Sequence, residues 1–168
     1  MRRALLIAAL AATLVVGACT DGTPRDGASS AGTGGTPPVD PCALLPQGLV
    51  EVTVPGNVTG VRELTANDFP IAPPGDSSSC AYDTDGGYGE LVVTTQPITA
   101  RQYQARFGHL DPYLARPVRN LGEEALLSGC GGLSIYTNGR LLHLGIQYER
   151  SNACPRLISL GRAALQQL

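Results

Sequence analysis

Apolar and polar positions divide the chain into three zones. Residues 4–16 form an apolar run interrupted by a single Thr. Residues 20–39 hold one branched apolar side chain, Val39. From residue 40 onward, apolar positions return at the spacings of strands and helices.

The sharpest local pattern is Tyr136-Thr137-Asn138-Gly139-Arg140-Leu141. Asn-Gly between alternating apolar residues marks a two-residue hairpin turn, because both turn positions require positive φ. That turn pairs Thr137 with Arg140, Ile135 with Leu142, and Leu133 with Leu144. Leu133, Ile135, Leu142, Leu144 and Ile146 then share one face, and a slip of one residue would turn that face to water. The same register sets Ser134 opposite His143 on the other face, as a cross-strand surface pair.

Further elements follow from the same reading. Cys80-Ala81-Tyr82 and residues 91–96 predict two strands joined through Asp85-Gly86-Gly87, with Leu91, Val93 and Thr95 on one side. Residues 99–107 predict a helix with Tyr103 and Phe107 on one flank and Gly108 as its C′ residue. Residues 121–127 predict a shorter helix. Asp40 and Pro41 suit the cap and first position of a helix of one or two turns, limited by Pro46 and Gly48. Residues 49–54 alternate and fit either a strand or a second helical piece. Residues 66–79 carry three prolines and predict a long loop. Residues 155–168 predict a C-terminal helix with Pro155 at its first position and a stripe of Leu157, Leu160, Gly161, Ala164, Leu165 and Leu168. Gly161 permits a close approach to the sheet. The fold class expected is α+β: one domain over 40–168, an antiparallel sheet with short helices and a C-terminal helix packed on it.

The first zone is an address. Arg2 and Arg3 precede an apolar run too short to span a bilayer, which takes about 20 residues, and the pattern fits a signal peptide over 1–18. Val16-Gly17-Ala18-Cys19 resembles a bacterial lipobox, which implies cleavage before Cys19 and lipidation of its thiol by palmitate-type chains; the alternative is ordinary cleavage with Cys19 as a spare thiol. Residues 19–39 then read as a disordered tether, because such a composition cannot offset its conformational entropy. As a flexible coil it spans roughly 25 Å.

The chain has five cysteines. Lipidation of Cys19 leaves Cys42, Cys80, Cys130 and Cys154, an even set in an exported chain, and export favours two disulfides. Three pairings are open. The sequential one, Cys42–Cys80 and Cys130–Cys154, closes two moderate loops and is the one expected. A zinc site fails on spacing, since no C-x-x-C occurs and His109 and His143 stand far apart. The same absence argues against a thiol oxidoreductase.

Composition narrows the classes further. Twelve arginines, no lysine and 14 acidic residues give a net charge of −2, without the basic density that nucleic acid requires. Gly 21 and Pro 13 make the chain rich in loops.

Candidate chemistry is thin. His109 and Asp111 form a His-x-Asp pair, a base with an orienting carboxylate, although a polar loop is the simpler reading. Ser134 and His143 invite a hydrolase, but no G-x-S-x-G surrounds the serine. Glu123 and Glu124 are adjacent, so on a helix they diverge by about 100° and cannot share a proton. Gly129-Cys130-Gly131-Gly132 lacks the lysine of a phosphate loop and suits tight packing around a disulfide. Tyr82, Tyr88, Tyr136 and Tyr148 fall on or near strands, either lining a groove or half-buried in the sheet.

Taken in order, the lipobox at Cys19, the tether, Asp40-Pro41-Cys42-Ala43-Leu44-Leu45, Cys80-Ala81-Tyr82, Leu121-Gly122-Glu123-Glu124-Ala125, the hairpin and the C-terminal helix resemble the small actinobacterial envelope lipoproteins grouped as a family of unknown function. The resemblance covers nearly the whole chain. It departs where Pro46 and Gly48 interrupt a segment that is usually helical, and where Tyr82 stands in place of a frequent Trp. It supplies no catalytic residue. The expectation is a lipid-anchored protein on the extracytoplasmic face of the cell membrane, binding an envelope protein, lipid or glycan without catalysis, cofactor or metal. Such a protein should present an apolar cleft or patch on the sheet or between sheet and helices. The alternative is a secreted hydrolase using Ser134/His143 or His109/Asp111, with the paired side chains within about 3 Å in a concave site.

Overall fold

The computed structural model describes residues 38–54, 56–69, 76–86, 89–147 and 152–168, all within the compact unit Gly34–Leu168. The apolar run, Cys19, the tether up to residue 37, Tyr88 and Tyr148 lie outside the described residues. The strands are β1 (Val58–Leu64), β2 (Ser78–Thr84), β3 (Glu90–Pro97), β4 (Ala115–Pro117), β5 (Glu124–Ser128), β6 (Gly132–Thr137) and β7 (Arg140–Ile146). They form one antiparallel sheet in the order β1-β2-β3-β7-β6-β5-β4. The helices are α1 (Gln47–Thr53), α2 (Ala100–Phe107) and α3 (Ala153–Leu165).

The hairpin of β6 and β7 has the register that its turn demands: Thr137 pairs with Arg140, Ile135 with Leu142 and Leu133 with Leu144. Asn138 and Gly139 adopt φ of 49° and 71°. The inward side chains of β3 (Leu91, Val93, Thr95) continue this face through the pairs Val93–Leu144 and Leu91–Ile146. Cys80 and Tyr82 extend it into β2, and Ala125 and Leu127 into β5. Val50 and Val54 at α1 and Leu157, Leu160 and Ala164 of α3 close over it, making the main core. Gly161 allows the close approach here, since a Cβ would lie 2.8 Å from Leu133 Cδ2 and 2.9 Å from Ile135 Cδ1 and those side-chain ends would have to shift.

On the opposite face α2 covers Tyr136 and Leu141 and builds a second, smaller core with Ile98, Tyr103 and Phe107. Two disulfides staple the fold, Cys42–Cys80 (Cα–Cα 5.1 Å) and Cys130–Cys154 (Cα–Cα 4.5 Å). The fold is therefore α+β with an antiparallel sheet and a packed C-terminal helix.

Several local expectations are corrected. Residues 121–127 are not helical: Gly122 takes φ of 67°, and β5 follows, with Ala125 and Leu127 buried at the period of a strand. Residues 40–45 form a turn in which Asp40 Oδ1 accepts the Cys42 N–H at 2.8 Å; the helix comes later, as α1, and Val50 and Val54 pack as an i, i+4 pair. Gly108 ends α2 at φ −68° and is no left-handed C′ residue. α3 begins at Ala153, so Pro155 is its third residue. The loop over 66–79 contains a short 3-10 turn, Ala66–Asp68, with a capping box between Thr65 and Asp68. The edge strands β1 and β4 carried no legible alternation.

Candidate functional site

α2 is placed by its own sequence. Thr99 caps it, accepting the Gln102 N–H at 3.2 Å, while Gln102 Oε1 accepts the Thr99 N–H at 2.8 Å. Tyr103, buried one turn later, stacks on Phe107 (centroids 4.9 Å apart) and on Tyr136 of β6 (5.4 Å). The helix thus packs over β6 and β7 near the middle of the sheet. The chain must return from α2 to β4, and Asp111 organises that return: its Oδ1 accepts the Tyr113 N–H at 2.8 Å and its carbonyl the Leu114 N–H at 2.8 Å.

A cleft of about 570 Å³ opens between α2 and the β4–β5 edge. Phe107, Leu110, Pro112, Val118 and Leu126 supply its apolar lining. Gln104 Nε2 donates across it to Glu124 Oε2. Glu123, also in the lining, accepts the Asn138 N–H at 2.7 Å and so ties the cleft to the hairpin turn. Burial, with Glu124 adding to it, pushes the Tyr103 phenol up to about 12, which leaves it a neutral hydroxyl at any ordinary pH. Leu110 of this lining is 37 % exposed, and the next apolar residues along the chain, Tyr113 at 97 % and Leu114 at 69 %, stand in solvent. This combination of apolar recess and exposed apolar rim suits a binding surface. Sequence reading expected an apolar cleft on the sheet or between sheet and helices but did not place it here; the available signal was Leu-x-x-Tyr-Leu within a loop marked by Gly108 and Pro112.

Ser134 and His143 do meet. Ser134 Oγ lies 3.0 Å from His143 Nδ1. They are not a surface pair, however, since Ser134 is 2 % exposed and His143 is partly buried. β6 and β7 are central strands, and Tyr103 of α2 reaches the Ser134 carbonyl at 3.5 Å, so the face that was expected to be wet is covered there. Burial, helped by the positive charge of Arg106, lowers the imidazole to about 4. The ring lies beside Gly132 and Gly145, where a Cβ would come within 3.4 Å and 3.5 Å of it. A hydroxyl so enclosed offers a substrate carbonyl no approach.

His109 and Asp111 are both exposed, and no hydrogen bond joins them among the described residues. Glu123 and Glu124 point to different partners, Asn138 and Gln104. Tyr82 and Tyr136 are fully buried, not half-buried; the Tyr82 hydroxyl shares its proton between Cys42 O (2.9 Å) and Leu45 O (2.8 Å), and burial pushes it up to about 12. Gly129–Gly132 frames the Cys130–Cys154 bond. Among the described residues no group of three or more His, Cys, Asp or Glu stands close enough to hold a metal ion, and no helix is long and apolar enough to cross a membrane.

Compared with protein-family models, curated proteins and solved structures, the chain matches none, and the reading of its function rests on its own residues.

Proposed function

We propose that the protein is an envelope lipoprotein, held on the extracytoplasmic face of the cell membrane by an acylated Cys19, whose single domain binds a partner in the cleft beside α2 and performs no catalysis. The anchor rests on the apolar run over 4–16, the small residues before Cys19 and the resemblance to small actinobacterial lipoproteins. The binding role rests on one observation above the others: the apolar recess between α2 and β5, lined by Leu110 and Pro112, with Tyr113 and Leu114 next along the chain in open solvent. Exposing two large apolar side chains, Tyr113 and Leu114, beside an apolar recess suits a surface that something covers. The partner is an envelope protein, lipid or glycan with an apolar segment to lay in the recess. Absence of catalysis is supported by the enclosure of Ser134 and by the want of a hydrogen bond between His109 and Asp111 among the described residues.

Two experiments test the two halves. Intact mass of the membrane-extracted protein reads the anchor, and a mature N-terminus other than acylated Cys19 removes it. For binding, a photo-crosslinking residue at Tyr113 in intact envelope is expected to capture one defined species, in a yield that Leu126→Glu in the cleft lowers. The same residue at Val52, 80 % exposed on α1, serves as control. Equal capture at both positions, insensitive to Leu126→Glu, defeats the cleft reading while leaving the anchor untouched.

A further inference from the structure

Val52, Val61 and Leu168 are exposed apolar side chains that stand apart from one another in the sequence, which is ordinary for a protein surface. The loop between α2 and β4 is different. Leu110, Pro112, Tyr113 and Leu114 are all exposed. The N–H groups of this loop are bonded within it. Leu110 donates to the Phe107 carbonyl at 3.2 Å. Asp111 takes the next three: its Oδ1 accepts the Tyr113 N–H at 2.8 Å, and its carbonyl accepts the Leu114 and Ala115 N–H groups at 2.8 Å and 2.9 Å. Pro112 has no N–H. From residue 107 to 115 the one formal charge is the Asp111 carboxylate. The next charges along the chain are Arg106 on one side and Arg116 on the other, both exposed.

These features favour one partner over another. Lipid offers a backbone N–H nothing to bond to, so a segment that enters it has to satisfy its own donors. The tip around Tyr113 already does so. Tyrosine suits the boundary between headgroups and acyl chains, because its ring is apolar and its hydroxyl polar. Arginines on either side of an apolar tip suit phosphate headgroups. A protein that adds a strand finds less here. The Leu114 carbonyl accepts the Gly129 N–H and the Val118 N–H donates to the Ala125 carbonyl, which turns residues 114 and 118 toward β5 and residues 115 and 117 to the open edge. At that edge the Ala115 N–H is taken by Asp111 and Pro117 has none.

We propose that the loop over 108–115 docks on the phospholipid bilayer, with Tyr113 and Leu114 entering the boundary between headgroups and acyl chains, so that the cleft beside α2 opens at the membrane surface and its partner is a lipid. This rests on the Cys19 anchor and the cleft of the function proposed above, and names the class of partner. The length of chain before the domain fits. Residues 19–37 cover at most about 65 Å even at full stretch, so an acylated Cys19 holds the tip at high effective concentration over lipid, and two inserted side chains then suffice. Leu110 and Pro112 belong both to the loop and to the cleft lining. Docking the tip therefore brings that lining, with Phe107 and Leu126, to the acyl boundary. Glu123 and Glu124 of the same lining are engaged by the Asn138 N–H and the Gln104 amide.

The chain contains no tryptophan, so Tyr113→Trp supplies a single fluorescent reporter at the tip. The full acylated chain carrying it is reconstituted into vesicles of phosphatidylglycerol and phosphatidylcholine and floated. Its emission is read with and without bromine on the lipid acyl chains, and with iodide in the water. Val52→Trp, at an 80 % exposed position of α1, is the control. The reporter at 113 is expected to emit at shorter wavelength than the control and to lose about half its intensity to brominated lipid, whereas the control is quenched by iodide alone. Adding Leu114→Ser is expected to weaken the bromine quenching by about twofold. Equal bromine quenching at both positions overturns the proposal. So does a reporter at 113 that bromine does not reach, whether iodide quenches it or not; in floated protein that result leaves the anchor standing and the cleft to a protein or glycan. Protein that fails to float loses the anchor, and the docking with it.

Discussion

Ser134 Oγ and His143 Nδ1 face each other at 3.0 Å across β6 and β7, on the side of the sheet opposite the aliphatic core. The hairpin register alone places them there. Their enclosure, and the nearness of Arg106, keep the imidazole neutral.

A pH dependence follows with a definite sign. The imidazole falls from 6.5 in the unfolded chain to about 4 in the fold, so the folded state disfavours its protonation. The stability that this neutral His143 contributes is complete above pH 6.5 and is lost as pH falls through about 4. Its size is at most about 3 kcal/mol. Urea midpoints measured from pH 7 to pH 3.5 are expected to fall more steeply for the parent than for His143→Gln. Parallel curves would show that His143 titrates normally.

Gly161→Ala is expected to destabilise the domain, although alanine is the better helix former by about 1 kcal/mol. The new methyl would sit 2.8 Å from Leu133 Cδ2 and 2.9 Å from Ile135 Cδ1, and these are packed core side chains of β6. Overpacking of this kind costs about 1–3 kcal/mol. The net loss, about 1 kcal/mol, is read from thermal or denaturant unfolding. A gain in stability would mean that α3 rides further from β6 than described.

Tyr82→Phe removes the single hydroxyl that satisfies both the Cys42 and the Leu45 carbonyls. Leaving buried acceptors unmet costs about 1–3 kcal/mol. Denaturant unfolding with both disulfides intact is expected to show that loss. An unchanged midpoint would place water at those carbonyls.

Which parts of this architecture could be read from the residues depended on how locally each was encoded. The Asn138-Gly139 turn and the alternation on either side of it determine a register within twelve residues, so β6, β7 and the Ser134–His143 pair were all legible. So was Tyr103 over Phe107, an i, i+4 contact. The 121–127 segment misled because Leu-x-x-x-Ala-Leu-Leu fits a helical face as well as a strand. Gly122 at positive φ and the pairing of Glu124 with Tyr136 decided for the strand, and neither is a local property. β1 was hidden for a similar reason: as an edge strand its side chains are mostly exposed, so it has no apolar period to display. The cleft is enclosed by residues of α2, of the loop after it and of β4 and β5. That is a tertiary fact, and only the exposed Leu110, Tyr113 and Leu114 announced it in the sequence.

Those rim residues give the sharpest separation of stability from binding. Tyr113, at 97 % exposure, and Leu114, at 69 %, bury little of their surface within the domain. Surface changes of this kind shift stability by no more than about 0.5 kcal/mol. The double substitution Tyr113→Ser with Leu114→Ser is therefore expected to leave the thermal midpoint within experimental error and to raise solubility. Leu126→Glu, in the cleft lining, is expected to behave alike because its side chain is only partly buried. If the rim and the recess form one binding surface, both variants lose the species crosslinked in intact envelope, and they lose it without unfolding. A double variant that unfolds would mean that the loop packs against the domain more closely than its exposure shows. A double variant that binds as well as the parent would make the exposed loop irrelevant to the partner.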